Sequence, residues 1–176
     1  KAGAAGVLSA ASTVRFADVA GAALDLDGTI QSVRTLEGAG ATGGAVALGA
    51  TGELTVGANT AFGGAVAGSG TSRLIKSGTG VFTMGPTSAL TGTFAVNVNG
   101  GTFSFGGNAG ANVSVQVASA AVLSGAGSFL GAVNVANGGV VEAGNGVAGS
   151  LSVASLVLGS SVGDIATLRF RNIDLG

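Results

Sequence analysis

Short runs of alternating apolar and polar residues recur along the whole chain. Leu24-Asp25-Leu26, Val96-Asn97-Val98, Phe103-Ser104-Phe105, Val113-Ser114-Val115-Gln116-Val117, Val133-Asn134-Val135 and Leu168-Arg169-Phe170 each send one set of side chains inward and the other outward. Phe82 and Met84 share a parity, with Thr83 opposite. Strands this short do not stand alone as hairpins. Stacked in register along an axis, they form long parallel sheets in which each strand pairs above and below. Asn99-Gly100-Gly101 and Asn137-Gly138-Gly139 follow Val-rich strands, and such residues accept the left-handed conformations of tight corners. Gly68-Ser69-Gly70, Gly78-Thr79-Gly80 and Gly106-Gly107-Asn108 read as further corners. No window of about 12 residues carries a helical stripe free of Gly. The Ala-rich residues 1–12 are the best candidate for a helix or a cap.

The pattern also repeats at long range. Leu36-Glu37-Gly38-Ala39-Gly40 returns as Leu123-Ser124-Gly125-Ala126-Gly127, an offset of 87 residues. Gly44-Ala45-Val46 returns at the same offset as Gly131-Ala132-Val133, and Gly52 as Gly139. Such self-similarity in a Gly-rich chain predicts a solenoid. Roughly 18 strand-like pieces, at three strands and about 20–25 residues per turn, give roughly seven or eight coils. At about 4.8 Å per coil the rod is roughly 35–40 Å long, and the 87-residue offset spans about four coils. Phe16, Phe62, Phe82, Phe94, Phe103, Phe105, Phe129 and Phe170 are expected to pack inside, stacked along the axis. The predicted organisation is an N-terminal cap, or the continuation of a longer solenoid, over residues 1–19, then a parallel β-helix over 20–176.

Composition narrows the function. Only 9% of the 176 residues are charged and the net charge is -1, so there is no electrostatic footprint for nucleic acid and no polybasic membrane patch. There are 35 Gly but 1 Pro, which excludes collagen, and the apolar, nearly uncharged composition argues against disorder. No run of about 18 apolar residues predicts a membrane-crossing helix. No charged segment followed by an apolar one marks a signal peptide, and the first residue is Lys1, as in a processed or partial protein. Cys, His, Trp and Tyr are all absent. Their absence removes disulfides, thiolate chemistry, the commonest general base and metal ligand, and the rings best suited to stacking on sugars or bases.

The remaining candidates for chemistry are few. Asp25 and Asp27 share a parity, but a Ca²⁺ site needs six to eight oxygen ligands and no third acidic residue is close. Neither an EF-hand loop nor a G-G-x-G-x-D repeat is present. Asp18, Glu37, Glu53, Glu142, Asp164 and Asp174 are far apart in sequence, which disfavours the clustered carboxylates of a polysaccharide-cleaving β-helix. Arg73 and Lys76 read as outward charges that keep a sheet edge from sticking, and Arg169 and Arg171 as the same at the far end. Gly78-Thr79-Gly80 has no strand-loop-helix context for a phosphate, and Thr91-Gly92-Thr93 is a lone T-x-T rather than an ice-binding row. No catalytic, cofactor-binding or metal residue is therefore assigned, and no cofactor is expected.

Gly68-Ser69-Gly70, followed by Leu74-Ile75-Lys76-Ser77-Gly78-Thr79-Gly80-Val81-Phe82-Thr83-Met84, resembles the passenger-associated transport repeat of bacterial autotransporters, G-S-G, then L-x-K-x-G-x-G-x-L-T-L. Leu90-Thr91-Gly92-Thr93-Phe94 and Val96-Asn97-Val98-Asn99-Gly100-Gly101-Thr102-Phe103 resemble its T-G-x-T and V-N-x-G-T-L continuation. Upstream, Ala22-Ala23-Leu24-Asp25-Leu26-Asp27-Gly28 is similar to a G-A-x-L-D-L-N-G coil, and Leu54–Thr60 with Phe62-Gly63-Gly64 to the coil between. Downstream, Gly138–Gly146 is similar to G-G-T-L-x-P-G-N-S, with Ala143 where Pro is usual. The aromatic of the T-Y-T-G corner is missing at Ser88-Ala89-Leu90-Thr91-Gly92, and no translocator barrel lies within the chain. The resemblance covers roughly residues 20–170. It implies an all-β, right-handed parallel β-helix on the outside of a Gram-negative-type cell, acting as a non-catalytic stalk or adhesive surface. Host or neighbouring cell surfaces and glycans are the implied partners, without nucleic acid or membrane insertion. A second expectation is self-assembly: neither terminus shows a clear polar cap, and open strand edges template further copies into a fibre. A polysaccharide-active enzyme is the remote third.

Overall fold

The computed structural model describes residues 3–40, 43–144 and 149–170. The chain is an all-β right-handed parallel solenoid, with no helix among the described residues. The first coil comprises β1 (Thr13–Phe16), β2 (Ala23–Asp25) and β3 (Ile30–Val33). The second comprises β4 (Thr35–Gly38), β5 (Ala45–Ala47) and β6 (Glu53–Val56), and the third β7 (Thr60–Phe62), β8 (Ala65–Gly68) and β9 (Arg73–Lys76). The fourth holds β10 (Val81–Met84), β11 (Ala89–Gly92) and β12 (Phe94–Val98), and the fifth β13 (Thr102–Phe105), β14 (Asn108–Ala109) and β15 (Val113–Val117). Above them lie β16 (Val122–Gly125) with the long β17 (Ser128–Val135), β18 (Val140–Ala143) with β19 (Ser152–Leu158), and β20 (Thr167–Phe170). About six turns result, slightly fewer than the seven or eight expected. The last turns differ because β17 and β19 run straight through a corner that five earlier coils turn, merging two faces of the prism into one sheet.

Every strand pair is parallel, so each face is a ladder of residues stacked one coil apart. The first face joins β1, β4, β7, β10, β13, β16, β18 and β20. The second joins β2, β5, β8, β11 and β14, and the third β3, β6, β9, β12 and β15, both ending on β17 and β19. Alternation decides which side chains point in. Along the third face Leu54, Leu74, Val96, Val115 and Val133 form one interior column, while Thr55, Ile75, Asn97, Gln116 and Asn134 lie outside. Burying such columns coil after coil supplies the main stabilisation, roughly 1.5–3 kcal/mol per fully buried large apolar side chain.

The 87-residue repeat is a true structural period for its first anchor. Gly38 pairs with Phe62, Phe62 with Met84, Met84 with Phe105 and Phe105 with Gly125, so Gly38 and Gly125 share one column four coils apart. The second anchor does not share it. Val46 stacks through Val66, Leu90 and Ala109 onto Phe129, on the second face, whereas Val133 lies on the third. Coils of unequal length make the difference, so a constant sequence offset drifts out of register.

The aromatic column is discontinuous. Phe82–Phe103, Phe103–Phe105 and Phe105–Phe129 rings lie 5.5, 5.8 and 4.8 Å apart. Phe16 and Phe62 meet at 5.3 Å although two coils separate them, because the residue between them is Gly38. Gly38 has φ of +79°, and a Cβ there would lie 2.2 Å from the Phe16 carbonyl oxygen. Phe94 is buried with the others, but Phe170 is 60% exposed. It sits on the last described strand, with no described coil over it. Residues 3–12 form turns instead of a helix and lie against the first coil, where the Gly6 N–H donates to the Ile30 carbonyl and the Leu8 N–H to Gln31 Oε1.

Candidate functional site

Lys76 departs most from the sequence reading. It was expected to point outward, yet it is 1% exposed. Its interior column reads Val33, Val56, Lys76, Val98, Val117, Val135, so one lysine interrupts a row of valines. The reason is positional. Lys76 ends β9 immediately before the Ser77-Gly78 corner, so its long stem packs on apolar neighbours while the ammonium reaches the corner. There Nζ donates to the carbonyls of Ser77, Gly78 (3.2 Å) and Gly100 (3.4 Å), tying two successive coils together. Burial lowers its pKa below the ordinary 10.5, because the charged form loses solvation. The alternation Arg73/Ile75 against Leu74/Lys76 carried the signal, since Leu74 shares the parity of Lys76.

Most of the other described charged residues make local contacts. Arg73 does point outward and pairs with Glu53 one coil below at 3.1 Å. Arg15 pairs with Glu37 one coil above, also at 3.1 Å. The hydrogen bond from Arg15, followed by one from Thr35, holds the Glu37 carboxyl below the ordinary carboxylate range. Arg169 is exposed and stacks above Glu142, and Arg171 lies outside the described residues. Asp164 accepts the Ser160 N–H (2.7 Å), the Ser161 N–H (2.9 Å) and the Ser160 hydroxyl, and these lower its pKa. Asp18 accepts the Gly43 N–H.

Asp25 and Asp27 lie on the outer side, as their parity implied, but they serve a corner. Strand β2 ends at Asp25, Asp27 turns into the left-handed region at φ 52°, and the Asp25 carboxylate accepts the Asp27 N–H at 2.9 Å. The carboxylate thus stabilises a corner. Among the described residues, no group of three acidic side chains is arranged to hold a metal ion. Asp174 falls outside the described residues.

What the solenoid offers instead is surface. The lower coils of the second face carry Ala23, Ala45, Ala65 and Ala89 in one outward row, beside a shallow Ala/Gly groove of about 260 Å³. The upper third face carries Asn97, Gln116 and Asn134 in another row, beside a groove of about 420 Å³. Among the described residues, Leu156, Leu168 and Phe170 of β19 and β20 are exposed and help line a groove of about 220 Å³. These surfaces are suited to contact, through small apolar groups, amides or strand edges. No family model matches the chain, and no curated protein and no solved structure matches it either.

Proposed function

We propose that the chain is a non-catalytic segment of a bacterial cell-surface protein, a β-helical stalk or adhesive surface of the autotransporter-passenger type, exposed outside a Gram-negative-type cell. The observation that carries this reading is the parallel register, which lays the same kinds of outward group down coil after coil and makes a stiff rod with a repeating face. The K-x-G-x-G segment adds support, since Lys76 and its glycine corner form one structural unit. Carboxylates committed to corners and ion pairs leave the surface neutral and contact-prone. Coils that add one at a time to those below also suit folding outside the cell.

The test is display of the chain on a non-adherent bacterial cell, followed by adhesion and cell–cell aggregation assays. The reading expects a gain over cells that display an unrelated solenoid of equal length, and equal behaviour of the two contradicts it. Self-association has its own support in the exposed apolar side chains and strand edges of β19 and β20.

A further inference from the structure

From the outer row of the third face we infer a binding groove for a neutral, hydroxyl-rich polysaccharide chain lying parallel to the solenoid axis. The inference rests on the adhesive reading above and names its ligand class. Three amides elsewhere have structural tasks, Gln31 bonding to Leu8, Ala4 and Thr29, Asn59 to the Val81 N–H and Asn137 to the Ile165 N–H, while Asn108 and Asn112 are exposed and lie outside the third-face row. The amides of Asn97, Asn99, Gln116 and Asn134 bond to no other described side chain or backbone group. Gln116 and Asn134 are in register on neighbouring coils, and beside them Ala118 and Ala136 leave a notch that Asn99 and Ser160 close at its two ends.

Three features select the ligand. Each amide both donates and accepts, which matches hydroxyl groups that do the same. No charged side chain lines the groove, so a polyanion gains nothing there. Asn97, Gln116 and Asn134 recur about every 4.8 Å over three coils, with the exposed Val157 next in the row on the fourth. This spacing is close to the length of one pyranose ring, whereas an extended peptide advances only about 3.4 Å per residue and falls out of step. The groove spans four coils, roughly 14 Å, or about three rings. It has no aromatic platform, so hydrogen bonds and the alanine floor supply the affinity, about millimolar for one groove.

The test follows the side-chain amide NMR signals of the whole chain during titration with cellohexaose, xylohexaose and mannohexaose, with oligogalacturonate and a neutral Ser/Gly peptide as competitors in class. At least one neutral hexasaccharide is expected to shift Gln116 and Asn134. The double variant Gln116→Ala/Asn134→Ala should weaken that binding by about tenfold or more with an unchanged melting temperature, and Ala136→Leu, which fills the notch, should do the same. No shift with any neutral probe overturns the inference, as does equal binding of oligogalacturonate or the peptide, or binding that survives both variants. Displayed cells separate the two proposals. Adhesion that persists in the double variant without glycan binding removes the groove and leaves the adhesive reading, and glycan binding without any adhesion does the reverse.

Discussion

Replacing Lys76 with Met keeps the length of the stem and removes the ammonium. Two effects oppose each other. The ammonium gives up hydration on burial, a cost that Met does not bear. Against this, Met abandons the Ser77, Gly78 and Gly100 carbonyls. A bond from a charged donor contributes about 1.5–3 kcal/mol at good geometry. Two of the three are long, so together they amount to roughly 3 kcal/mol. Gly78 is exposed and Ser77 and Gly100 are half-buried, so water recovers part of the loss. The expected net effect is a destabilisation of about 2 kcal/mol, rising to about 4 kcal/mol for Lys76→Ala, which also empties the volume of the stem. The pH profile separates this account from simple packing. Because burial lowers the folded-state pKa below 10.5, there is a window in which the unfolded chain holds the proton and the folded chain does not. Stability therefore rises with pH through that window, and below it the contribution is flat. Without Cys, His or Tyr, Lys76 and Lys1 are the only side chains that titrate there. Urea melts from neutral to alkaline pH should show the rise in the parent chain and not in Lys76→Met. A Met variant as stable as the parent, or one with the same alkaline rise, refutes the reasoning.

Gly38→Ala should cost about 3 kcal/mol or more by thermal or urea melts, since it combines a positive φ with a contact 2.2 Å from the Phe16 carbonyl oxygen. Ser124 Oγ is buried without a hydrogen-bond partner, so Ser124→Ala should leave stability unchanged or raise it by up to about 1 kcal/mol in the same melts. The lowered pKa of Glu37 makes its ion pair stabilising above its ordinary value near 4.5, and that contribution is lost as pH falls through the lowered value. Glu37→Gln should accordingly flatten the acid limb of the stability profile by lowering the neutral plateau slightly, while stability at pH values below the lowered value stays unchanged. Phe170→Glu combined with Leu168→Glu should abolish any concentration-dependent dimer seen by light scattering, because both apolar side chains are exposed among the described residues.

The solenoid was legible because alternation of period two survives in short pieces. Val113–Val117 was read with its full extent as β15, and Phe103–Phe105 falls within β13. The merged faces were not legible, because Gly131 inside β17 looks like one more corner among many glycines. The register of the second repeat anchor was hidden for a related reason: loop length, which sets register, leaves no mark in a local motif. Lys76 was misread because a charge at a strand end is normally solvated, and only the glycine corner beyond it makes burial affordable. The left-handed turn at Asp27 was not legible, because the strand parity of Leu24 and Leu26 does not mark the end of β2. The amide row was visible as Val96-Asn97-Val98, Val113–Val117 and Val133-Asn134-Val135, but its alignment into one ladder depends on coil lengths that only the structure supplies.

All of these readings depend on which residues stack on which, and a chain without cysteine is well suited to a direct test. Asn97 and Gln116 are register partners on the outer side of adjacent coils. Adjacent strands lie about 4.8 Å apart, within the Cα range that a disulfide spans. The double variant Asn97→Cys/Gln116→Cys should therefore form an intramolecular disulfide under mild oxidation, as measured by loss of free thiol and by peptide mass. The pair Asn97→Cys/Val115→Cys, one residue out of register and on opposite sides of the sheet, should not. Cross-linking of the second pair in preference to the first would contradict the stacking, and with it the grooves and rows built on it.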